Sequence, residues 1–284
     1  MTKTEFLKLC EKTVLLDGAT GSNLMKAGMP RGVCAEKWNL EHPEVILELQ
    51  LAYVASGSRI IYAPTFTASE PYLSQHGLAE ELESINAGLV ALSKQAAEGK
   101  AFVAGDMTTV GRPEVPYEEL LTVYTRQAAA LRDAGVDLFV IETMMGLEET
   151  MAALEACRMV SDLPVMCSFS VTSDGMLYFG GSVYEAAPQL EGFGADAVGI
   201  NCSCGPDQMI AVVENLSKIL TVPVIAKPNA GMPMIDEQGN AVYSMAADEF
   251  AVQMKKLKDA GAKILGGCCG TDPAYIAALK NILF

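Results

Sequence analysis

The sequence predicts a (β/α)₈ barrel, in which eight parallel strands alternate with helices and close on themselves. Two observations predict it. Short and almost continuously apolar runs recur eight times along the 284 residues, and longer amphipathic stretches separate them. Continuous apolarity over four or five residues is typical of a parallel strand buried on both faces, and its alternation with helices is typical of crossover connections. An open doubly wound sheet remains the alternative, because a count of strands does not show closure.

The predicted elements follow from local composition. The strands are residues 14–16, 59–62, 101–104, 138–141, 164–167, 197–200, 223–226 and 263–265. Amphipathic stretches predict helices that include residues 43–55, 78–97, 117–134 and 246–260. Gly135, Gly194 and Gly261 each stand shortly before a predicted strand, where glycine suits the residue after a helix end. Since no linker rich in Pro, Gly or Ser divides the chain, residues 1–284 are interpreted as one domain.

Composition excludes several functional classes. There are 20 Lys and Arg against 35 Asp and Glu, a formal net charge of −15, and no basic run, which argues against a surface for nucleic acid or anionic membranes. The N-terminus lacks the apolar segment of a signal peptide, and no run approaches the ~18 apolar residues of a membrane span. Eight cysteines in such a chain are interpreted as reduced thiols. We therefore expect a cytoplasmic protein.

Three cysteines follow apolar runs where strands should end. Cys202 closes the segment Gly199-Ile200-Asn201-Cys202, and the pair Cys268-Cys269 lies between glycines. Three thiolates from two strand ends can hold Zn²⁺ and leave its fourth position open for a substrate. Cys204 lies two residues beyond Cys202 and would close the site if it were a fourth ligand.

The chemistry of such a centre favours a thiol substrate. The chain has only two histidines, His42 and His76, and neither stands at a predicted strand end, so a hydrolytic zinc site is not expected. Three thiolates around Zn²⁺ give a centre of net charge −1, which is a poor Lewis acid for water. A free thiol of pKa ~8.5 is only slightly ionised at neutral pH, whereas a coordinated thiol is deprotonated.

Acidic residues complete the pattern. Asp17 opens the turn Asp17-Gly18-Ala19-Thr20-Gly21-Ser22, whose backbone N–H groups suit a carboxylate, although Asp or Ser could equally serve as a turn or helix cap. Glu142 follows four apolar residues, and an ammonium ligand would compensate its charge. An amino acid that carries a thiol fits all three features. The remaining strand ends carry Thr65, Asp106, Ser168 and Lys227.

These segments resemble the zinc-dependent homocysteine S-methyltransferase family over essentially the whole chain. That family includes betaine–homocysteine methyltransferase and the homocysteine domain of cobalamin-dependent methionine synthase, to which the resemblance is strongest. The matching segments are Asp17-Gly18-Ala19-Thr20-Gly21, Glu142-Thr143, Gly199-Ile200-Asn201-Cys202, Lys227-Pro228-Asn229-Ala230-Gly231 and Gly266-Gly267-Cys268-Cys269-Gly270-Thr271.

The resemblance implies a (β/α)₈ barrel with zinc held by Cys202, Cys268 and Cys269. It implies that homocysteine displaces a weak fourth ligand, and Asn229 stands at the position that resembles this ligand. The residues that it implies for recognition of the homocysteine amine and carboxylate are Asp17, Gly18, Ala19, Thr20, Glu142 and Asn201. The implied reaction is methyl transfer to the homocysteine thiolate, which gives methionine.

The methyl donor stays open at this stage. The likeness to methionine synthase favours methylcobalamin, presented by a separate corrinoid protein, since the sequence contains no cobalamin or folate domain. The alternative is a small donor such as S-methylmethionine or betaine. Asp106 stands where serine is more usual and Pro64 precedes Thr65 where asparagine is usual; both departures lie on the rim where a donor approaches. A non-catalytic zinc or thiol sensor with a closed site that includes Cys204 is a third hypothesis.

Overall fold

The computed structural model describes residues 1–236 and 241–284. Within them the strands, in chain order, are β1 (Val14–Leu15), β2 (Ile60–Tyr62), β3 (Phe102–Thr108), β4 (Leu138–Met144), β5 (Val165–Phe169), β6 (Ala197–Cys202), β7 (Val224–Pro228), β8 (Met234–Ile235), β9 (Ala241–Val242) and β10 (Ala262–Leu265). Eight of them form one sheet in the order β1-β10-β7-β6-β5-β4-β3-β2, and its neighbouring strands pair in parallel. The strands β8 and β9 form a separate antiparallel pair.

Hydrogen bonds connect the two end strands of this sheet. The backbone N–H of Arg59, just before β2, donates to the carbonyl of Leu15 in β1 at 2.7 Å. The hydroxyl of Ser58 donates to the carbonyl of Leu16 at 3.0 Å. These contacts bring the first and last strands of the sheet order together. The prediction of a (β/α)₈ barrel is therefore confirmed.

Helices pack against the barrel, most of them on its outer face. They are α1 (Lys3–Cys10), α2 (Gly21–Lys26), α3 (Ala35–Glu41), α4 (Pro43–Ser56), α5 (Glu70–Ser74), α6 (Leu82–Ala97), α7 (Tyr117–Asp133), α8 (Leu147–Val160), α9 (Val183–Gly192), α10 (Pro206–Ile219), α11 (Ala247–Asp259) and α12 (Pro273–Leu283). Gly135, Gly194 and Gly261 have φ angles of 85°, 100° and 116°, so glycine ends these helices as predicted. Among the described residues, no helix has the length and apolarity needed to cross a membrane.

Alternation along the strands divides the core into two parts. In β4, Leu138 and Val140 belong to the cluster inside the barrel, whereas Phe139 and Ile141 pack between the sheet and the helices. Successive side chains of a strand point to opposite faces, which explains this division. Phe6 of α1 is fully buried in the inner cluster, so the helix that precedes β1 packs against the barrel interior.

Candidate metal centre and substrate pocket

Three thiols meet at the carboxyl ends of the strands. The Sγ atoms of Cys202, Cys268 and Cys269 all lie within 4.8 Å of one another, and those of Cys202 and Cys269 are 4.0 Å apart. Cys202 ends β6 and the pair follows β10; β7 lies between these strands in the sheet. Cys202 has a φ angle of 57°, a left-handed conformation that non-glycine residues seldom adopt and that is found preferentially at functional sites.

Hydrogen bonds among the thiols favour negative charge on sulfur. The thiols of Cys202 and Cys268 donate to Cys269 and, with smaller help from the Tyr243 hydroxyl, lower the pKa of Cys269 to about 3. The hydrogen bonds that Cys202 makes to Cys268 and Cys269 raise the pKa of Cys202 in turn. One proton is thus lost easily while the others are shared. Such a cluster suits a cation that replaces the shared protons.

The donor set fits zinc. The side-chain Oδ1 atom of Asn229 is buried and has no hydrogen-bond partner among the described residues. The backbone N–H of Ala230 donates to the carbonyl of Cys269 at 2.9 Å, which holds the Asn229 loop beside the thiols. Three sulfur donors form a ligand set that Zn²⁺ accepts, and the Asn229 loop beside them carries a buried oxygen without a partner among the described residues.

Cys204 lies apart from the three thiols. Its side chain is buried in the apolar layer between the sheet and the helices, and burial raises the pKa of its thiol to about 11. Among the described residues, the thiols close enough to share a metal ion are those of Cys202, Cys268 and Cys269, and Cys204 does not belong to this group. This arrangement argues against the closed four-cysteine site that the sequence left open.

A cavity of about 270 Å³ lies beside the thiols. Its walls include most of the polar residues predicted at strand ends, together with residues of the turn after β1. Those lining residues are Asp17, Gly18, Ala19, Thr20, Asp106, Glu142, Lys227, Cys202, Cys268 and Cys269. Thr65, Ser168, Asn201 and Asn229 do not line it.

Strand alternation brings the charged residues together. Three charged residues each follow an interior apolar residue of the same strand by two positions. They are Asp106 after Ala104, Glu142 after Val140 and Lys227 after Ile225. All three therefore face the barrel interior and form a polar layer above the apolar one. Asp106 and Glu142 lie within β3 and β4, because these strands extend further than the sequence predicted.

Lys227 lies between two of the carboxylates. Its Nζ atom is 3.7 Å from Oδ1 of Asp17, 3.8 Å from Oε2 of Glu142 and 4.7 Å from the centre of the Tyr62 ring. Burial raises the pKa of Asp17 to about 7 and that of Glu142 to about 7, although Lys227 opposes both shifts. Burial lowers the pKa of Lys227, but Glu142 and Asp17 outweigh it and leave the value raised. The lysine therefore stays charged.

Asn201, for which the sequence predicted a substrate contact, does not line the cavity and is held by neighbouring side chains. It is fully buried, and its Oδ1 atom accepts hydrogen bonds from the Thr143 N–H and the Ser168 hydroxyl, both at 2.8 Å. Its Nδ2 atom donates to the Thr143 hydroxyl at 2.7 Å and to Oε2 of Glu142 at 3.4 Å. Asn201 therefore positions Glu142 and has no free group for a ligand.

The turn after β1 packs against the loop that carries the cysteine pair. A Cβ atom on Gly18 would stand 2.6 Å from the Tyr53 hydroxyl and 2.9 Å from Oγ1 of Thr271, so only glycine fits. The N–H of Ala19 donates to Oγ1 of Thr271 at 3.1 Å. Ala19 lines the cavity, as expected of a residue near the substrate, while its amide is hydrogen-bonded to Thr271.

Several residues of this site had no predicted role. Tyr53 donates to the carbonyl of Ala19 at 2.7 Å, and the side chain of Asn23 donates to the same carbonyl at 2.7 Å. Thr271 belongs to a matched segment and could have been selected from it, whereas Tyr53 stands within a helix pattern without any signal. Glu36 and Asn39 of α3 also line the cavity, and they were missed because α3 belongs to the first loop, outside the repeated strand and helix units.

Fold and site together define a (β/α)₈ enzyme scaffold with a thiol-rich centre at its strand ends. The chain belongs to the homocysteine S-methyltransferase family, whose model matches residues 14–283. The family predicted from the sequence is thus confirmed.

Curated relatives include methionine synthases of two mycobacteria. The protein of Mycobacterium tuberculosis (strain ATCC 25618 / H37Rv) is 29% identical over 308 residues, which cover 98% of this chain and 26% of the relative. The protein of Mycobacterium leprae (strain TN) is 28% identical. The alignment covers 94% of this chain and 24% of that protein. The chain therefore spans about a quarter of the length of these relatives.

Similar solved structures include the homocysteine methyltransferase MmuM from Escherichia coli. Its oxidized form has a TM-score of 0.83 and 25% sequence identity, and the match covers 95% of each chain. Its metallated form has a TM-score of 0.84 and 24% identity, with 98% of this chain and 99% of that chain covered. The whole barrel is thus shared with a protein of similar length.

Proposed function

We propose that the protein methylates the sulfur of homocysteine at a zinc centre and so forms methionine. The observation that carries this proposal is the cluster of three cysteine sulfurs within 4.8 Å, set beside a cavity lined with carboxylates. The metallated form described for the similar MmuM structure supports a metal in this fold. A thiol-bearing amino acid has the sulfur and the ammonium group that these two parts of the site require.

Zinc would be held by Cys202, Cys268 and Cys269, with Asn229 as the weak ligand that the substrate sulfur replaces. When bound there, the metal would keep that sulfur as a thiolate at neutral pH. The three cysteine thiolates would give the zinc centre a net negative charge. The bound substrate sulfur would therefore keep its electron density and stay nucleophilic. An electron pair of this sulfur then forms the new bond to the methyl carbon, and the donor leaves with the pair that had joined it to the methyl group.

The rest of the pocket would hold the amino acid part of homocysteine. Glu142 and Asp17 provide negative charge for the ammonium group, and Lys227 limits the repulsion between these two carboxylates. The substrate carboxylate would meet the turn after β1, where the backbone at Gly18 and Thr20 lines the cavity. The Ala19 amide, which donates to Thr271, would shape this turn, and Ala19 would contact the substrate through its place in the cavity wall.

Methylcobalamin on a separate corrinoid protein is the donor that we propose. The relatives named methionine synthase support it, and they are about four times as long as this chain. A small sulfonium or ammonium donor would need a cage of aromatic rings. Tyr62 and Phe66 are the aromatic residues among the described lining residues, and the Tyr62 ring already lies against Lys227.

The test is methionine formation by the reduced, zinc-loaded protein from homocysteine, with free methylcobalamin, S-methylmethionine and betaine compared as donors. Zinc-stripped protein is the control. We expect zinc-dependent turnover with methylcobalamin and none with the small donors. Efficient turnover with S-methylmethionine or betaine would overturn the donor assignment, and equal turnover without zinc would overturn the metal-dependent mechanism.

A further inference from the structure

We propose that Asp106 binds the ammonium group of the amino acid thiol. This inference rests on the proposed function and adds a substrate contact that the family resemblance did not imply. It makes Asp106 a determinant of specificity, because a thiol without an amino group would gain nothing from this residue.

Three of the four pocket carboxylates have partners within the protein, and one of them, Glu36, accepts hydrogen bonds from the N–H and the hydroxyl of Thr67. Lys227 lies 3.7 Å from Oδ1 of Asp17 and 3.8 Å from Oε2 of Glu142. Asp17 also accepts a hydrogen bond of 2.7 Å from the Tyr62 N–H, and Glu142 accepts one from Asn201. Oδ1 of Asp17 has no hydrogen-bond partner among the described residues, so its compensation comes from the charge of Lys227 and from the Tyr62 N–H on its other oxygen.

Asp106 has no comparable support. It is 5% exposed and lines the cavity, yet its Oδ1 atom has no hydrogen-bond partner in the described part of the chain. A buried carboxylate without a partner is costly, so a ligand that supplies a cation is bound favourably there. The same reasoning favours a primary ammonium, which can donate to Asp106 and to a neighbouring carboxylate at once.

The backbone of Asp106 is held independently of its side chain. The hydroxyl of Thr65 accepts from the Asp106 N–H at 3.0 Å and donates to the Asp106 carbonyl at 2.9 Å. Within β3, Asp106 also pairs in register with Val140 of β4. The side chain can therefore be changed to its amide with the strand left in place.

The charge balance of the pocket points the same way. Four acidic residues, Asp17, Glu36, Asp106 and Glu142, stand against one lysine among the described lining residues. Burial raises the pKa of Asp106 well above its usual range; Glu142 raises it further, while Lys227 opposes the shift. An arriving ammonium group would supply a second cation and stabilise the ionised form of Asp106.

The experiment compares two ligands on the zinc-loaded full chain by calorimetry. Homocysteine carries the ammonium group, and 4-mercaptobutanoate lacks it but keeps the thiol and the carboxylate. For Asp106→Asn we expect the Kd of homocysteine to rise by about 30-fold, from the loss of one charged hydrogen bond. The Kd of 4-mercaptobutanoate should stay within about threefold. The control variant is Asp133→Asn, which makes the same Asp-to-Asn change at an exposed position on α7 and should leave both Kd values unchanged.

Each outcome decides the matter. If Asp106→Asn binds both thiols with the wild-type ratio of Kd values, the inference is overturned. Asp106→Ser removes the same carboxylate and gives a second test if the amide variant is poorly folded. A wild-type protein that binds neither thiol would overturn the proposed function and this inference with it, whereas normal wild-type binding with an unchanged ratio in the variant overturns the inference alone.

Discussion

Asn201 and Thr143 are joined by two hydrogen bonds that connect the end of β6 to the end of β4. The Thr143 N–H donates to Oδ1 of Asn201 at 2.8 Å, and Nδ2 of Asn201 donates to the Thr143 hydroxyl at 2.7 Å. Thr143 has a φ angle of 60°, so this contact holds a backbone conformation that is otherwise unfavourable. Because Ser168 of β5 donates to the same oxygen, one side chain fixes the ends of β4, β5 and β6.

The variant Asn201→Ala should therefore be both less stable and less active. It leaves the N–H of the half-buried Thr143 and the buried Ser168 hydroxyl without an acceptor, which we expect to lower the free energy of unfolding by about 2 kcal/mol. It should also raise the KM for homocysteine, because Glu142 loses the hydrogen bond that Nδ2 of Asn201 donates to it. Urea unfolding and steady-state kinetics measure the two effects. Ser168→Ala, which removes a single hydrogen bond, should cost about 1 kcal/mol. Equal stability of Asn201→Ala and wild type would contradict this role.

Removal of one cysteine of the cluster should abolish metal binding. For Cys268→Ala we expect loss of bound zinc and of methyl transfer together, because two thiolates no longer complete a tetrahedral site. The matched control is Cys204→Ala, which removes a thiol that is buried in the apolar layer. It should keep its zinc, as measured by elemental analysis of the dialysed protein. Loss of zinc from Cys204→Ala would favour the closed four-cysteine site.

Asn229→Ala should change the metal environment without emptying it. The buried Oδ1 atom has no other partner among the described residues, so its removal takes away the proposed oxygen ligand. X-ray absorption should show three sulfur ligands and one light ligand in the wild type, and a changed light-atom shell in the variant. After addition of homocysteine both proteins should give the same four-sulfur spectrum. Identical spectra before addition would exclude Asn229 as the ligand.

Two glycines of the turn after β1 should respond in opposite ways to alanine. Gly18→Ala places a methyl group 2.6 Å from the Tyr53 hydroxyl, which we expect to destabilise the fold by about 1–3 kcal/mol. A Cβ atom on Gly21 meets nothing within 4 Å, and this residue begins α2 without a positive φ. Gly21→Ala should be neutral or slightly stabilising. Thermal unfolding of both variants distinguishes a steric requirement at Gly18 from a general intolerance of the turn.

Glu142 should make the stability of the substrate-free protein depend on pH. Burial raises its pKa from 4.5 to about 7 against the opposing effect of Lys227, and Cys268 adds to the increase. A raised carboxyl pKa contributes stability that is fully present below about pH 4.5 and is lost as the pH rises through about 7. Relative to Glu142→Gln, the wild type should lose about 2 kcal/mol between pH 5 and pH 8, measured by urea unfolding. A constant difference would contradict the shift.

Much of this architecture could be predicted because it depends on local patterns. The β4 segment reads as a buried strand from its continuous apolarity, and Gly135, Gly194 and Gly261 mark helix ends by their conformational freedom. The three cysteines could be grouped because parallel strands of a barrel present their carboxyl ends on one face. Asp17 and Glu142 could be added by the same rule.

The partners of each side chain could not be predicted in this way. Ala19 and Asn201 both belong to matched segments, yet Thr271 uses the amide of the first, and the ends of β4 and β5 use the side chain of the second. These contacts join residues 252, 58 and 33 positions apart along the chain. The alternation of side chains along a strand predicts that such residues face inward. It does not predict which neighbour forms hydrogen bonds with their polar groups.

The sequence by itself therefore determined the barrel, the family and the thiol cluster, since periodicity and strand order are enough to bring those residues to one end. Only the tertiary structure decided how charge is distributed within the pocket. The register between β3, β4 and β7 and the depth of burial put Lys227 between Asp17 and Glu142 and left Oδ1 of Asp106 without a partner in the described chain. Electrostatic energies depend on distances of a few ångströms and on desolvation, and neither is encoded in local sequence.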